Sequence, residues 1–124
     1  MKKLLITTAL IEGCTALGLL AVPALVTRFL LGATLDSPPV LTIARVGGAA
    51  LIALSLACWL SRENGRPLIG AILLYNVIVI GLLAHAALGL AVSGVGLWPA
   101  LAFHVAFTIW CMACLWSKRV VQMP

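Results

Sequence analysis

The sequence is poor in charge. Its 124 residues include 8 Lys and Arg and 3 Asp and Glu, 9% in all, where an ordinary soluble domain carries about a quarter. So few charges cannot solvate the surface of a globule this size. That excludes a soluble enzyme, a nucleic-acid-binding domain and a disordered chain. Disulfide scaffolding is excluded too, because the 4 cysteines sit in a chain with no extramembrane domain to staple. Its 2 histidines are too few for a zinc site. No stretch resembles a phosphate loop, a nucleophile triad or a zinc-binding helix. Apolar and polar residues do not alternate, which removes a membrane strand. Nothing supports catalysis, and the chain is expected not to be an enzyme.

Apolar residues are abundant instead, at 64%, with a mean hydropathy of +1.21. About 20 of them in helix cross a hydrocarbon core about 30 Å thick. Residues 4–31, 40–61, 67–92 and 97–117 all qualify. Gly32 stops the first, and Asp36-Ser37-Pro38-Pro39 cannot continue it. Arg62-Glu63-Asn64-Gly65-Arg66 divides the second from the third, and Ser93-Gly94-Val95-Gly96 divides the third from the fourth. Pro67 and Pro99 suit first helical turns. The expected fold class is all-α: one integral membrane domain over residues 1–124, a four-helix antiparallel bundle.

Lys2 and Lys3, Arg62 and Arg66, and Lys118 and Arg119 form three cationic clusters. The positive-inside rule then puts both termini and the middle turn in the cytoplasm, across a bacterial inner membrane. Trp59 and Trp116 fall near that boundary and Trp98 near the outer one. The net charge of +5 reads as topology signal and attraction to anionic lipid. No nucleic-acid partner is expected. The start resembles a signal peptide, and Ile11-Glu12-Gly13-Cys14 loosely resembles a lipoprotein cleavage box. Glu12 fits that box poorly and the apolar run continues past it, so the segment is expected to remain as a helix. Pro23 is expected to kink this first helix, which would otherwise reach roughly 42 Å.

Six residues make a function guessable. With each helix aligned on its midpoint, Glu12 and Asn76 lie roughly 6 Å to the cytoplasmic side of centre, and Arg45, His85 and His104 roughly 5 to 8 Å to the outer side. Glu12 is a proton-carrying or cation-binding carboxylate, or a tie between helices reaching Arg45 or Asn76. Arg45 snorkels outward or points in to Glu12 or an anion, beside the small-residue surface Gly47-Gly48-Ala49-Ala50. His85 and His104 are placed to hold one haem, with Gly81 and Gly89 making room, or else to hydrogen-bond between helices. Tyr75 and Asn76 line a polar cavity opposite Glu12 or serve as packing. Cys111-Met112-Ala113-Cys114 puts two sulfurs on one helix face, as a redox pair or as small apolar filling.

Leu41-Thr42-Ile43-Ala44-Arg45-Val46-Gly47-Gly48, with the apolar run to Trp59 behind it, resembles the second helix of DoxX-like four-helix inner-membrane proteins. The likeness covers about fifteen residues in motif and the whole chain in helix count, length and orientation. It implies a small membrane protein from a group of which many members have no assigned activity and others are tied to quinone or thiol redox chemistry. Ala9-Leu10-Ile11-Glu12-Gly13-Cys14-Thr15 is similar to the glutamate-bearing first helix of small multidrug-resistance transporters. The third helix departs from that pattern, with Tyr75 alone in place of an aromatic-rich motif, and so does His104 in the fourth. The leading expectation is a protein that binds a lipid-soluble small molecule or a larger membrane complex. An interior cluster of Glu12, Arg45, Tyr75, Asn76, His85 and His104 would do the binding. The alternatives are a homodimeric proton-coupled transporter of small cations using Glu12, and a b-type haem electron carrier using His85 and His104. The residues do not name a cofactor.

Overall fold

A computed structural model describes residues 1–33 and 36–117. The described chain is all helical: α1 (Lys2–Ala21), α2 (Pro23–Leu31), α3 (Pro38–Leu60), α4 (Arg66–Gly89) and α5 (Leu97–Trp116). Four of these, all but α2, are long and apolar enough to cross a membrane. The Lys118 and Arg119 cluster lies outside the described residues.

The first stretch is broken, not kinked. Val22 leaves helical geometry, at φ −135° and ψ 56°, because Pro23 has no N–H to give the preceding turn and its ring crowds the residue before it. The Val22 amide still donates to Gly18 O at 2.8 Å, while Leu25 and Val26 turn back to Val22 O at 3.1 and 3.2 Å. The break is therefore confined to one residue. α2 then closes on Gly32, whose φ of 72° suits glycine. The third stretch, expected to reach Val92, ends at Gly89. Beyond it the Leu90 and Val92 amides fold back onto His85 O and Ala86 O. Ala91 between them takes a left-handed φ of 52°.

α1 packs chiefly on α3, and α4 chiefly on α5. The first pair is close because Gly48 is buried against it. A Cβ there would stand 3.0 Å from Ala16 O and 3.0 Å from Leu19 Cβ, so the two backbones nearly touch, as small residues allow. Two turns further along, Ser55 Oγ donates to Ala9 O at 2.6 Å. The two pairs meet in one core of Leu4, Leu5, Ala9, Cys58, Ile69, Ile72, Phe107 and Cys111. These residues come from the start of α1, the end of α3, the start of α4 and the second half of α5. The core therefore occupies one end of the molecule.

Charge gathers at that same end. Lys2 Nζ lies 2.6 Å from Glu63 Oε1. Arg62 donates to Trp59 O at 2.7 Å, with its guanidinium 5.0 Å from that indole's centroid. Arg66 reaches Leu115 O at 3.4 Å. At the other end the 90–96 loop sits on α2. Gly96 N donates to Phe29 O at 2.9 Å; Gly94 lies so tightly against the Leu30 carbonyl that it could not carry a side chain, and Gly96 packs under the Phe29 ring.

Candidate functional site

Away from the core the two helix pairs part around a cleft of about 610 Å³. Its walls are apolar: Ile11 and Leu19 from α1, Val26 and Phe29 from α2, Leu51 from α3, Val79 and Leu83 from α4, and Ala100 and Phe103 from α5. α2 becomes a wall because Pro23 detaches it from the line of α1. The floor is polar, and it lies where the helices begin to close on the core.

Three helices build that floor. Glu12 on α1 is 5% exposed, and its Oε2 accepts the Tyr75 hydroxyl at 3.3 Å, a long contact for an O–H···O bond. Tyr75 and Asn76 are consecutive on α4, so they point in different directions. Tyr75 turns to Glu12 and the cleft, Asn76 to α5. Asn76, 2% exposed, donates through Nδ2 to Ile72 O at 2.8 Å, one turn back. Its Oδ1 lies 2.7 Å from His104 Nδ1 on α5. The His104 ring stands edge-on to Tyr75 at 5.9 Å and to Phe103 at 5.6 Å, and the half-buried imidazole lines the cleft.

Glu12, Tyr75, Asn76 and His104 thus share one layer, not the two expected for them. The shift follows from the helix ends. With α1 ending at Ala21 and α4 at Gly89, Glu12 and Asn76 fall near the middle of their helices, level with His104. Two hydroxyls extend the layer toward the core. Thr8, one turn from Glu12, and Thr108, one turn from His104, have buried Oγ1 atoms with no partner among the described residues. The i, i+4 spacing from His104 to Thr108 was the signal for the second of these, and sequence reasoning missed it.

Arg45 and His85 do not join the cluster, and their expected interior placement is corrected. Arg45 is exposed, and its Nε reaches Leu20 O at 3.4 Å. That carbonyl lies in the last turn before the Pro23 break, where the helix has lost donors. Arg45 therefore serves the broken helix end and does not reach Glu12. His85 is exposed and outside the cleft, its ring folded over Gly89, where an added Cβ would stand 2.9 Å from Nδ1. His85 and His104 do not face a common space: His104 lines the cleft and His85 lies outside it. The pair does not fit a bis-histidine haem.

Among the described residues no three His, Cys, Asp or Glu side chains gather to hold a metal. The four cysteines are free thiols. Cys58 and Cys111 are core residues, Cys114 packs against that core, and the exposed Cys14 alone lines the cleft. The C-x-x-C pair therefore sits on the far side of the polar floor from the cleft. No family model, curated protein or solved structure matches the chain.

Proposed function

We propose that this chain is a small integral membrane protein whose four long helices span the bilayer as an antiparallel bundle. We further propose that it binds a lipid-soluble small molecule in the cleft without transforming it. The observation that carries this reading is an apolar cleft of about 610 Å³ with a polar floor, within the usual size and character of small-molecule sites. The outward apolar side chains of α3 and α4, among them Ile43, Leu60, Leu82 and Leu88, suit lipid tails. The gathering of Lys2, Arg62 and Arg66 at one end supports a cytoplasmic position for that end, in a bacterial inner membrane. DoxX-like membership belongs to the same proposal and rests on the 41–48 stretch.

Native mass spectrometry from a mild detergent tests the binding reading. The wild-type chain is expected to retain a small-molecule mass. Ala100→Trp, which fills the cleft from its wall, is expected to lose that mass with helicity intact. A bare wild-type chain, or an equal load on the variant, rejects the reading.

One observation favours a second reading. Among the described residues Glu12 has no cationic partner: it accepts only from Tyr75, at the floor of a cleft. An unpaired intramembrane acid is the group a proton-coupled cation transporter needs, working as a homodimer. Glu12→Gln should then abolish proton-driven uptake of ethidium into proteoliposomes while leaving the fold. Surviving uptake eliminates the transporter.

A further inference from the structure

Resting on the binding reading above, we propose that the ligand enters the cleft with a hydrogen-bond donor leading, a hydroxyl or phenol group, and that His104 Nε2 is the acceptor that selects it. The argument runs through the Asn76 amide. Its Nδ2 faces Ile72 O at 2.8 Å, a carbonyl that can only accept. Turning the amide over would set two acceptor oxygens against each other, so Oδ1 must face His104. An amide oxygen also only accepts. The 2.7 Å contact is therefore donated by His104 Nδ1–H.

That fixes the tautomer. The half-buried imidazole has aromatic neighbours at Tyr75 and Phe103, makes no ion pair among the described residues, and is neutral there. A neutral imidazole with its proton on Nδ1 carries a lone pair on Nε2 and nothing else. Nε2 has no partner among the described residues, and it is the nitrogen left to face the cleft that His104 lines. The neighbouring polar atoms reinforce the preference, since among the described residues Glu12 Oε1 is also without a partner and Tyr75 directs its own proton to Glu12.

A hydroxyl satisfies this floor, donating to Nε2 and still able to accept. A ketone, ester or ether would cover Nε2 without meeting it. A carboxylate or phosphate meets a lone pair and a carboxyl group. A site whose buried polar atom goes unpaired rejects the analogue lacking the donor much more strongly than a site that merely loses a methylene.

The test has two readouts. In full-length protein carrying His85→Gln, His104 is the one remaining histidine, and ¹⁵N-histidine NMR in detergent micelles reports its ring directly. We expect Nδ1 protonated and Nε2 bare before any ligand is added. A ring protonated on Nε2, or on both nitrogens, overturns the inference. The second readout compares 4-nonylphenol with 4-nonylanisole, which differ by the donor proton and one methyl. The phenol is expected to bind roughly tenfold tighter or more and to shift the Nε2 resonance. Equal binding of the pair overturns donor selection and leaves the cleft reading standing. If neither binds at its solubility limit, both fall.

Discussion

Replacing Asn76 with Leu asks how much the floor contributes to the fold. Leu keeps the branching and heavy-atom count of Asn, so the buried position is filled without a cavity. What disappears is the acceptor 2.7 Å from His104 Nδ1. Two scales bear on the cost. In a water-soluble protein an orphaned buried donor costs about 1–3 kcal/mol. Between membrane helices the mean is about 0.6 and the maximum about 1.7 kcal/mol, because the unfolded chain in lipid also finds partners. On the proposed membrane placement the second scale governs, since both residues then remain in an apolar medium on unfolding. His104→Phe removes the donor and keeps a ring for the edge contact with Tyr75. A cycle of Asn76→Leu, His104→Phe and the double variant, followed by reversible unfolding in mixed micelles, should give a coupling energy of about 0.6–1.7 kcal/mol. In the single Asn76→Leu variant the His104 ring should also lose its preference for the Nδ1 proton. If the two substitutions add to within about 0.3 kcal/mol, the contact carries no energy. The tautomer argument would then lose its foundation.

Neighbouring glycines give an internally controlled test of the α1–α3 contact. Gly48→Ala places a methyl 3.0 Å from Ala16 O and Leu19 Cβ, whereas Gly47→Ala meets nothing within 4 Å. The first should destabilise by about 1–3 kcal/mol from overpacking, less the helix gain of about 1. The second should keep that gain, and equal midpoints in a detergent unfolding series would contradict the close approach. Pro23→Ala removes a helix break worth about 3 kcal/mol, more than the roughly 1 kcal/mol of the Gly96–Phe29 hydrogen bond that holds α2. α1 and α2 should fuse, circular dichroism should rise, and ligand retention by native mass spectrometry should fall; retention at the wild-type level would show that α2 is not a wall. The Glu63 carboxyl is held below its ordinary 4.5 by the Lys2 hydrogen bond and, to a lesser degree, by the charges of Lys2 and Arg62. Its contribution to stability is present above the unfolded value and is lost as pH falls through the folded one. Wild type and Glu63→Gln should therefore differ slightly in unfolding midpoint at neutral pH and converge in acid, with a constant gap disproving the assignment.

The long helices were legible because their signal is bulk. Runs of apolar residues interrupted by Asp36 to Pro39, by the 62–66 turn and by the 93–96 glycines leave little choice of element. Pro23 was legible as a disturbance but not as a complete break. A proline inside a long apolar helix can be absorbed as a bend when neighbours meet the freed carbonyls, and here Arg45 meets one of them from another helix. That partnership also explains the error over Arg45. The sequence allows snorkelling or inward pairing, but an acceptor 25 residues away on a broken helix end has no sequence signature. His85 and His104 look alike in sequence and differ only in facing. α4 is apolar on all sides, so periodicity could not show which face turns to α5.

The cluster sits where its chemistry is neither wholly spent nor wholly exposed. In the core end, among Leu4, Ile69, Ile72 and Phe107, every polar atom would need an internal partner. At the open end lipid or a ligand would provide the surroundings. The floor lies between, and each cleft-facing member has used part of its bonding capacity. Glu12 has given one carboxyl oxygen to Tyr75, Tyr75 has given its proton to Glu12, and His104 has given Nδ1 to Asn76. Each keeps an unused acceptor: Glu12 Oε1, the Tyr75 oxygen and His104 Nε2. Asn76, which does not line the cleft, has both ends of its amide engaged. A purely structural tie would resemble Asn76 throughout. The contrast between Asn76, with both polar atoms engaged, and the cleft-facing residues, where Glu12 Oε1 and His104 Nε2 have no partner among the described residues, is the pattern expected of a site held ready for a partner.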